Sequence, residues 1–189
     1  MPLDLTFRSV TPETWPDFEA FFRAGDRTVG GDVARCWCME WRMPLAEWRD
    51  NPEAAHQGMR DLVHGGGVPG FIAYEDGAVV GWCSVAPRAT LRVRRRGLVR
   101  SDEPDEGVWS IICFYVPQQH HDRGLMSAML ERAVAYAAEN GARIVEGYPT
   151  RPGQFADMGY AGRLQSFEKA GFTPVDEPTP GLVVMQRRV

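Results

Sequence analysis

Between Val108 and Asn140 the chain changes character three times, and that order leaves few folds open. The stretch VWSIICFYV, Val108 to Val116, is almost continuously apolar, as expected of a central strand covered on both faces. A polar turn follows, Pro117 to Arg123. Gly124 then opens an alanine-rich helix from Leu125 to Asn140 that sets Leu125, Met129, Ala133 and Ala137 on one face and is closed by Asn140-Gly141. Arg143 to Tyr148 reads as the next strand. A strand, a helix and a strand in this order make a crossover between parallel neighbours. The 189 residues suffice for one α/β domain with a sizeable core.

The rest of the chain supplies the sheet around that unit. Leu3, Leu5 and Phe7 alternate with polar residues, which predicts a first strand. Thr11-Pro12-Glu13 predicts a helix start, with Thr11 as N-cap and Pro12 in the first turn, and Trp15, Phe18, Phe21 and Phe22 as its apolar stripe. Gly25 to Met43 reads as irregular, including Gly30-Gly31 and CWCMEW from Cys36 to Trp41. A second helix is expected from Leu45 to His64, stopped by Gly65-Gly66-Gly67. Phe71 to Tyr74, Asp76-Gly77 and Ala78 to Val85 form the clearest hairpin signal. Tyr160 to Ala170 predicts a short helix, and Phe172 to Val175 with Leu182 to Gln186 complete the strands. No internal repeat or long linker divides the chain.

Bulk properties narrow the function. A net charge of -4 argues against a nucleic-acid binder, which needs a basic surface. No apolar run approaches the roughly 20 residues needed to span a bilayer, so no membrane association is expected. Met1-Pro2-Leu3-Asp4 lacks the basic-then-apolar pattern of a signal peptide. The expectation is a cytoplasmic protein with its four cysteines as thiols.

The turn before the alanine-rich helix is where chemistry is expected. A helix N-terminus presents unpaired N–H groups and positive partial charge, which suits a pyrophosphate. Gly124, lacking Cβ, lets backbone approach phosphate oxygens. Taken alone, a strand-turn-helix with one glycine is more often a plain connection. The longer order WSIICFYVPQQHHDRGLMSAML, then ARIVEGYP, then FEKAGF resembles the acetyl-CoA half of GNAT acetyltransferases. The hairpin AYEDGAVVGWCSVAPR is similar to the two strands that precede this half. The resemblance covers the chain from about Pro69 onward. His121 stands where the family has Gln or Arg, Met126 where it has Gly or Ala, and Phe167 where it often has a Tyr that protonates the leaving thiolate.

The resemblance implies an α+β fold over residues 1–189. Its core would be a central, mixed, mostly antiparallel twisted sheet of six to seven strands, flanked by about four main helices. Acceptor-side elements would lie mainly in 1–68 and the acetyl-CoA half in 69–189. It implies acetyl-CoA as co-substrate and a splay between the two parallel strands that admits the pantetheine arm. Backbone of Phe114, Tyr115 and Val116 would pair with that arm. Amides from His121, Asp122, Arg123, Gly124, Leu125 and Met126, with Ser127, would hold the pyrophosphate. A primary amine of a small molecule or peptide would attack in a ternary complex. Glu146 is the first candidate base, through water, with an ion-paired glutamate as the alternative; Tyr160, Ser166 and Tyr148 are the hydroxyl candidates for the acid. Relatives commonly pair through exposed strands, which admits a homodimer.

Other clusters carry two readings each. Cys36 and Cys38, with Cys83 and Cys113 on neighbouring strands, could form a zinc site or be buried thiols; the tight C-x-C spacing favours thiols, and no metal is expected. Trp37, Met39 and Trp41 suit either a wall of the acceptor pocket or core packing. His120 and His121, next to Asp122, could serve as a base or a metal ligand, but read first as loop residues, His121 donating to a phosphate. Arg92, Arg94, Arg95 and Arg96 could meet the ribose phosphate of CoA or an acidic acceptor, but read first as a solvated face answered by Asp102, Glu103, Asp105 and Glu106. Two rival functions stay open: a non-catalytic acyl-CoA sensor, favoured by Phe167, and a nucleotide-binding domain of another kind.

Overall fold

The computed structural model describes residues 3–25, 33–98, 103–151 and 159–189. Seven strands form one sheet in the order β1-β2-β3-β4-β5-β7-β6. They are β1 Leu5–Ser9, β2 Gly70–Glu75, β3 Ala78–Pro87, β4 Val108–Tyr115, β5 Ile144–Gly147, β6 Thr173–Thr179 and β7 Leu182–Arg188. Every pairing is antiparallel except β4 with β5. The hairpin turn sits at Asp76-Gly77, both with positive φ (50° and 79°), as a two-residue turn that follows strand twist demands.

Among the described residues six α-helices cover the two faces: α1 Trp15–Arg23, α2 Val33–Cys36, α3 Leu45–Asp50, α4 Pro52–His64, α5 Leu125–Glu139 and α6 Leu164–Lys169. One face packs Trp15, Phe18 and Phe22 of α1, Met59 and Val63 of α4 and the loop residues Trp37, Met39 and Trp41 against Ile72, Trp82, Ile112 and Tyr115. The other packs α5 through Leu125, Met129, Ala133 and Ala137 against Phe71, Ala73, Val85, Ile111 and Val145, with Phe167 of α6 beside them. No described helix is long and apolar enough to cross a membrane.

Four local expectations need correction. The first helix starts later: Thr14 is its N-cap and Pro16 lies in its first turn, while Thr14 Oγ1 donates to Ser9 O at 2.8 Å and accepts from Thr11 N. The helix expected over Leu45–His64 is two helices, because Pro52 disfavours helical backbone at Asn51; Asn51 instead caps α4, accepting from Ala54 N at 3.1 Å. The helix expected from Tyr160 begins at Leu164, Tyr160 lying on a single 3-10 turn, Gly159–Ala161. The arginines expected to make a solvated face partly turn inward. Arg88, at the start of that segment, is 1% exposed, and Arg96 pairs with Glu40 rather than with the acidic run, its guanidinium 4.9 Å from the Trp41 ring. Arg94 does meet Asp105, at 2.9 Å, while Asp102 and Gly30-Gly31 lie outside the described residues.

Candidate active site

β4 and β5 pair for four residues, Val108↔Ile144 to Ile111↔Gly147, and then part. β4 continues to Tyr115 with β3 as its remaining strand neighbour, whereas the chain after Gly147 turns to bridge Thr150 with Arg163 and Leu182. A wedge opens between them. Phe167, 0% exposed, helps set it: an added Cβ on Gly147 would lie 2.2 Å from Phe167 Cε1, and one on Gly162 would lie 2.9 Å from Cε2. The Phe167 ring stands edge-on to Phe114 (6.4 Å) and Phe172 (5.0 Å). At the mouth of the wedge β4 carries a bulge: Ser84 pairs with Cys113 and Val85 with Ile111, so Ile112 is the extra residue. A bulge takes backbone out of the ladder and re-aims the strand.

Beyond β4 the chain makes a 3-10 turn, Gln118–His120, and reaches Gly124 (φ 85°) at the start of α5. No side chain caps this helix and its first turn holds no acid. Ala128 N is the first amide to bond within it, to Gly124 O at 3.1 Å, so the amides of Leu125, Met126 and Ser127 precede the helical ladder. A Cβ on Gly124 would meet nothing within 4 Å. His121, Asp122, Arg123, Gly124 and Ser127 are exposed, Leu125 is buried and Met126 is half-buried against the α5 side of the core. Two side chains of the turn have protein partners. His121 Nε2 donates to Val116 O at 2.8 Å, and Arg123 makes two bonds to the Glu75 carboxylate, at 2.6 and 2.8 Å. What the turn leaves for a ligand is therefore mainly its backbone amides. Phe114 and Tyr115 lie on the diverging strand, Val116 just after it, and the Tyr115 ring rests 5.0 Å from Phe21.

Glu146 is 0% exposed and lies beside Ser110 in the parallel register. Its carboxylate accepts from Arg88 Nη1 (3.1 Å), Gln186 Nε2 (2.7 Å) and Tyr148 Oη (2.5 Å). Arg88, equally sealed, donates also to Asp105 Oδ1 (2.6 Å) and Glu103 O (2.6 Å). Tyr148 Oη contacts Ser110 Oγ at 2.9 Å, and burial, followed by the Glu146 charge, holds its phenol well above the usual range. This chain of groups joins the β3–β4 connection to β4, β5 and β7 at the closed end of the wedge.

At the open end, a second cluster forms over the bulge on the α1–α4 face. Trp37 and Cys38 both adopt left-handed backbone (φ 48° and 50°), a costly conformation for side chains of that size. It turns Cys38 inward, where its Sγ accepts from Trp82 Nε1 at 3.0 Å. Cys38 also exchanges hydrogen bonds with Cys36 and Cys113. The Cys36 thiol is raised by its bond to Cys38 and then by burial; burial raises Cys38 and Cys83. Trp37, Met39 and Trp41 are core residues, at 2, 7 and 6% exposure. Tyr160 is half-buried beside this cluster, its phenol raised by burial and then by Glu40 and Cys113. Glu40 faces Arg96 at 3.1 Å, and burial raises its carboxyl against the opposing pull of that guanidinium. Ser166 is half-buried on α6, next to the Phe167 that fills the wedge. Among the described residues no group of three or more His, Cys, Asp or Glu could hold a metal ion.

Tyr160 and Cys113 are singled out by sequence, but Glu40, Arg42 and Arg88 are not. A buried arginine between two strands carries no local signal. The pairing of Glu40 with Arg96 spans 56 positions and follows no period.

No curated protein sequence matches the chain. Solved structures of similar fold include the GNAT domain of S. lividans PAT (18% identity, covering 97% of this chain and 89% of that one, TM-score 0.58). They include also the PaiA N-acetyltransferase of Thermoplasma acidophilum in complex with coenzyme A (11%, 99% and 100%, TM-score 0.56). A third is aminoglycoside acetyltransferase AAC(6')-Ib in complex with coenzyme A (17%, 98% and 95%, TM-score 0.56). The model of the acetyltransferase (GNAT) family matches residues 34–163. With the parted β4 and β5 opening toward an uncapped helix, this match establishes that the chain belongs to the GNAT acetyltransferase family.

Proposed function

We propose that this protein moves an acetyl group from acetyl-CoA to a primary amine of a small molecule or peptide, by direct attack in a ternary complex. The observation that carries this is the wedge between β4 and β5, leading from the Ile112 bulge to the free amides of α5. The residues fit the cofactor: Gly124 leaves open space where a phosphate must approach, and no carboxylate occupies the helix start. Acetyl-CoA, when bound, supplies an activated thioester carbonyl.

The protein's own groups would then act as follows. Backbone of Phe114, Tyr115 and Val116 pairs along the pantetheine arm. Amides of the His121–Ser127 turn (Asp122, Arg123, Gly124, Leu125 and Met126 between them) hold the pyrophosphate, the Arg123 side chain staying with Glu75. The backbone freed at the bulge polarises the carbonyl, as an oxyanion hole does. Glu40 takes the proton from the acceptor amine, because burial raises its carboxyl and it sits beside Tyr160. Tyr160, whose phenol burial raises, stays protonated across the neutral range and gives a proton back. Glu146, with no exposed atom and three donors on its carboxylate, holds Tyr148 and Arg88 instead of meeting the amine. Ser166 has no hydrogen bond that argues for a proton role.

The rival reading, an acyl-CoA sensor without chemistry, draws on Phe167, which cannot donate a proton. One experiment separates them: calorimetric titration with acetyl-CoA, with ATP as control, followed by an amine panel read by CoA release. Binding of acetyl-CoA alone together with amine-dependent release is expected. Binding without release from any amine would favour the sensor, and preference for ATP would overturn both.

A further inference from the structure

Arg42 lies in the loop between α2 and α3 and is half-buried over the sheet at Ser84, the residue that pairs with Cys113 beside the Ile112 bulge. Its three hydrogen bonds all go to neutral acceptors: Nη1 to Cys38 O (3.0 Å), Nη2 to Pro69 O (3.1 Å) and Nη2 to Ser84 Oγ (3.0 Å). Thiols rather than carboxylates stand around it: Cys38 and Cys36, whose thiols are held well above the usual range by burial and by their mutual contact, and Cys113, the strand partner of Ser84. Arg88 has Asp105 and Glu146, and Arg96 has Glu40, whereas Arg42, like the half-buried Arg92, has no carboxylate partner among the described residues. Partly buried charge is kept where it is paired, so an isolated guanidinium at the acceptor end of the wedge calls for an anion from outside.

Arg42 bonds Cys38 O and Ser84, the partner of Cys113; Tyr160 packs on the same core cluster, and Glu40 is held there by Arg96 over Trp41. Glu40 takes an amine proton on one flank, and Arg42 presents positive charge on the other. A guanidinium carries five N–H donors; three are used here, which leaves two for a ligand and one net charge to neutralise. That matches a monoanion better than a phosphate dianion.

We propose that Arg42 anchors a carboxylate of the acceptor, so that the preferred substrate is a small amine that also carries a carboxylate, such as a free amino acid. This rests on the acceptor site assigned above. The test compares amino acids with their decarboxylated counterparts, lysine with cadaverine and phenylalanine with phenethylamine. Two readouts are used, kcat/KM from CoA release and Kd from calorimetry in the presence of CoA. Wild-type protein is expected to favour the acid of a pair by about ten- to hundredfold, the scale of one charge-assisted hydrogen bond. Arg42→Met is expected to erase that ratio, and Arg42→Lys to keep part of it. A role limited to holding the loop would lower acid and amine alike and leave the ratio intact in Arg42→Met, which overturns the proposal. Release of CoA with no preference for the acid in wild type also overturns it while leaving acetyl transfer standing. A preference in Kd without any CoA release upholds the anchor and sinks the transferase reading.

Discussion

Replacing Arg88 by Met tests whether the buried chain at the closed end of the wedge is a strut or a proton path. Arg88 and Glu146 are both fully buried, so their pairing receives no discount for solvent screening. Removing the guanidinium deletes bonds to Glu146, Asp105 and Glu103 O and leaves the Glu146 carboxylate with Gln186 and Tyr148 as its only donors. Breaking a buried pair from one side costs about 3–5 kcal/mol. For a chain of this size that is roughly 6–20 °C in Tm, at about 2–4 °C per kcal/mol. Glu146→Gln keeps the shape and leaves Arg88 with Asp105, so its cost should be smaller, about 1–3 kcal/mol. The double variant removes charge from both sides and should fall short of the sum by about 1 kcal/mol or more. Urea melts at constant m give the energies, and kcat is measured at a temperature where each variant is folded. A strut predicts lost stability with kcat largely retained in Glu146→Gln. The reasoning fails if Arg88→Met costs less than about 1 kcal/mol, or if Glu146→Gln abolishes kcat at unchanged stability, which would return the base to Glu146.

Three further outcomes are expected. Because burial raises the Glu40 carboxyl, and a base must be ionised to work, the wild-type rate should fall on acidification at a higher pH than an exposed glutamate would impose. Glu40→Gln should remove that acid limb and lower kcat about 100-fold; an unchanged pH profile rejects the assignment. Gly124→Val forces a β-branched residue to φ 85° at the helix start and should weaken acetyl-CoA binding by roughly tenfold or more in calorimetry, whereas equal affinity would place the pyrophosphate elsewhere. Gly147→Ala puts a methyl against Phe167 and should cost about 1–3 kcal/mol in urea melts, partly restored by Phe167→Leu; a neutral Gly147→Ala would show that the ring is free to move.

What sequence could reveal tracks how locally each feature is specified. The Asp76-Gly77 hairpin and the α5 stripe are read from neighbours a few positions apart, and both stand as expected. The β4–β5 parallel pair follows from the helix between them. Helix ends were less legible. Thr11-Pro12 and Thr14–Pro16 offer the same start chemistry, and the choice went to Thr14, whose hydroxyl also reaches Ser9 O. The run from Leu45 to His64 looked continuous because its polar and apolar residues suit a helix on both sides of Pro52, so only the cost of helical backbone before a proline divides it.

The two halves of the site differ for a physical reason. The proposed phosphate recognition would use backbone amides at a helix start, and a backbone site must be written in consecutive residues: an apolar strand, a turn, Gly124 and a helix. It therefore leaves a motif even where His121 and Met126 depart from the family pattern, because amide N–H groups do not depend on side-chain identity. The proposed acceptor recognition would use side chains at positions 40, 42 and 160, near a loop whose left-handed Trp37 and Cys38 no propensity would favour. Nothing local couples these positions. A GNAT chain can thus keep a legible cofactor half while its acceptor half changes freely, and the residue that defines this protein's substrate is better sought in an unpaired charge such as Arg42 than in any motif.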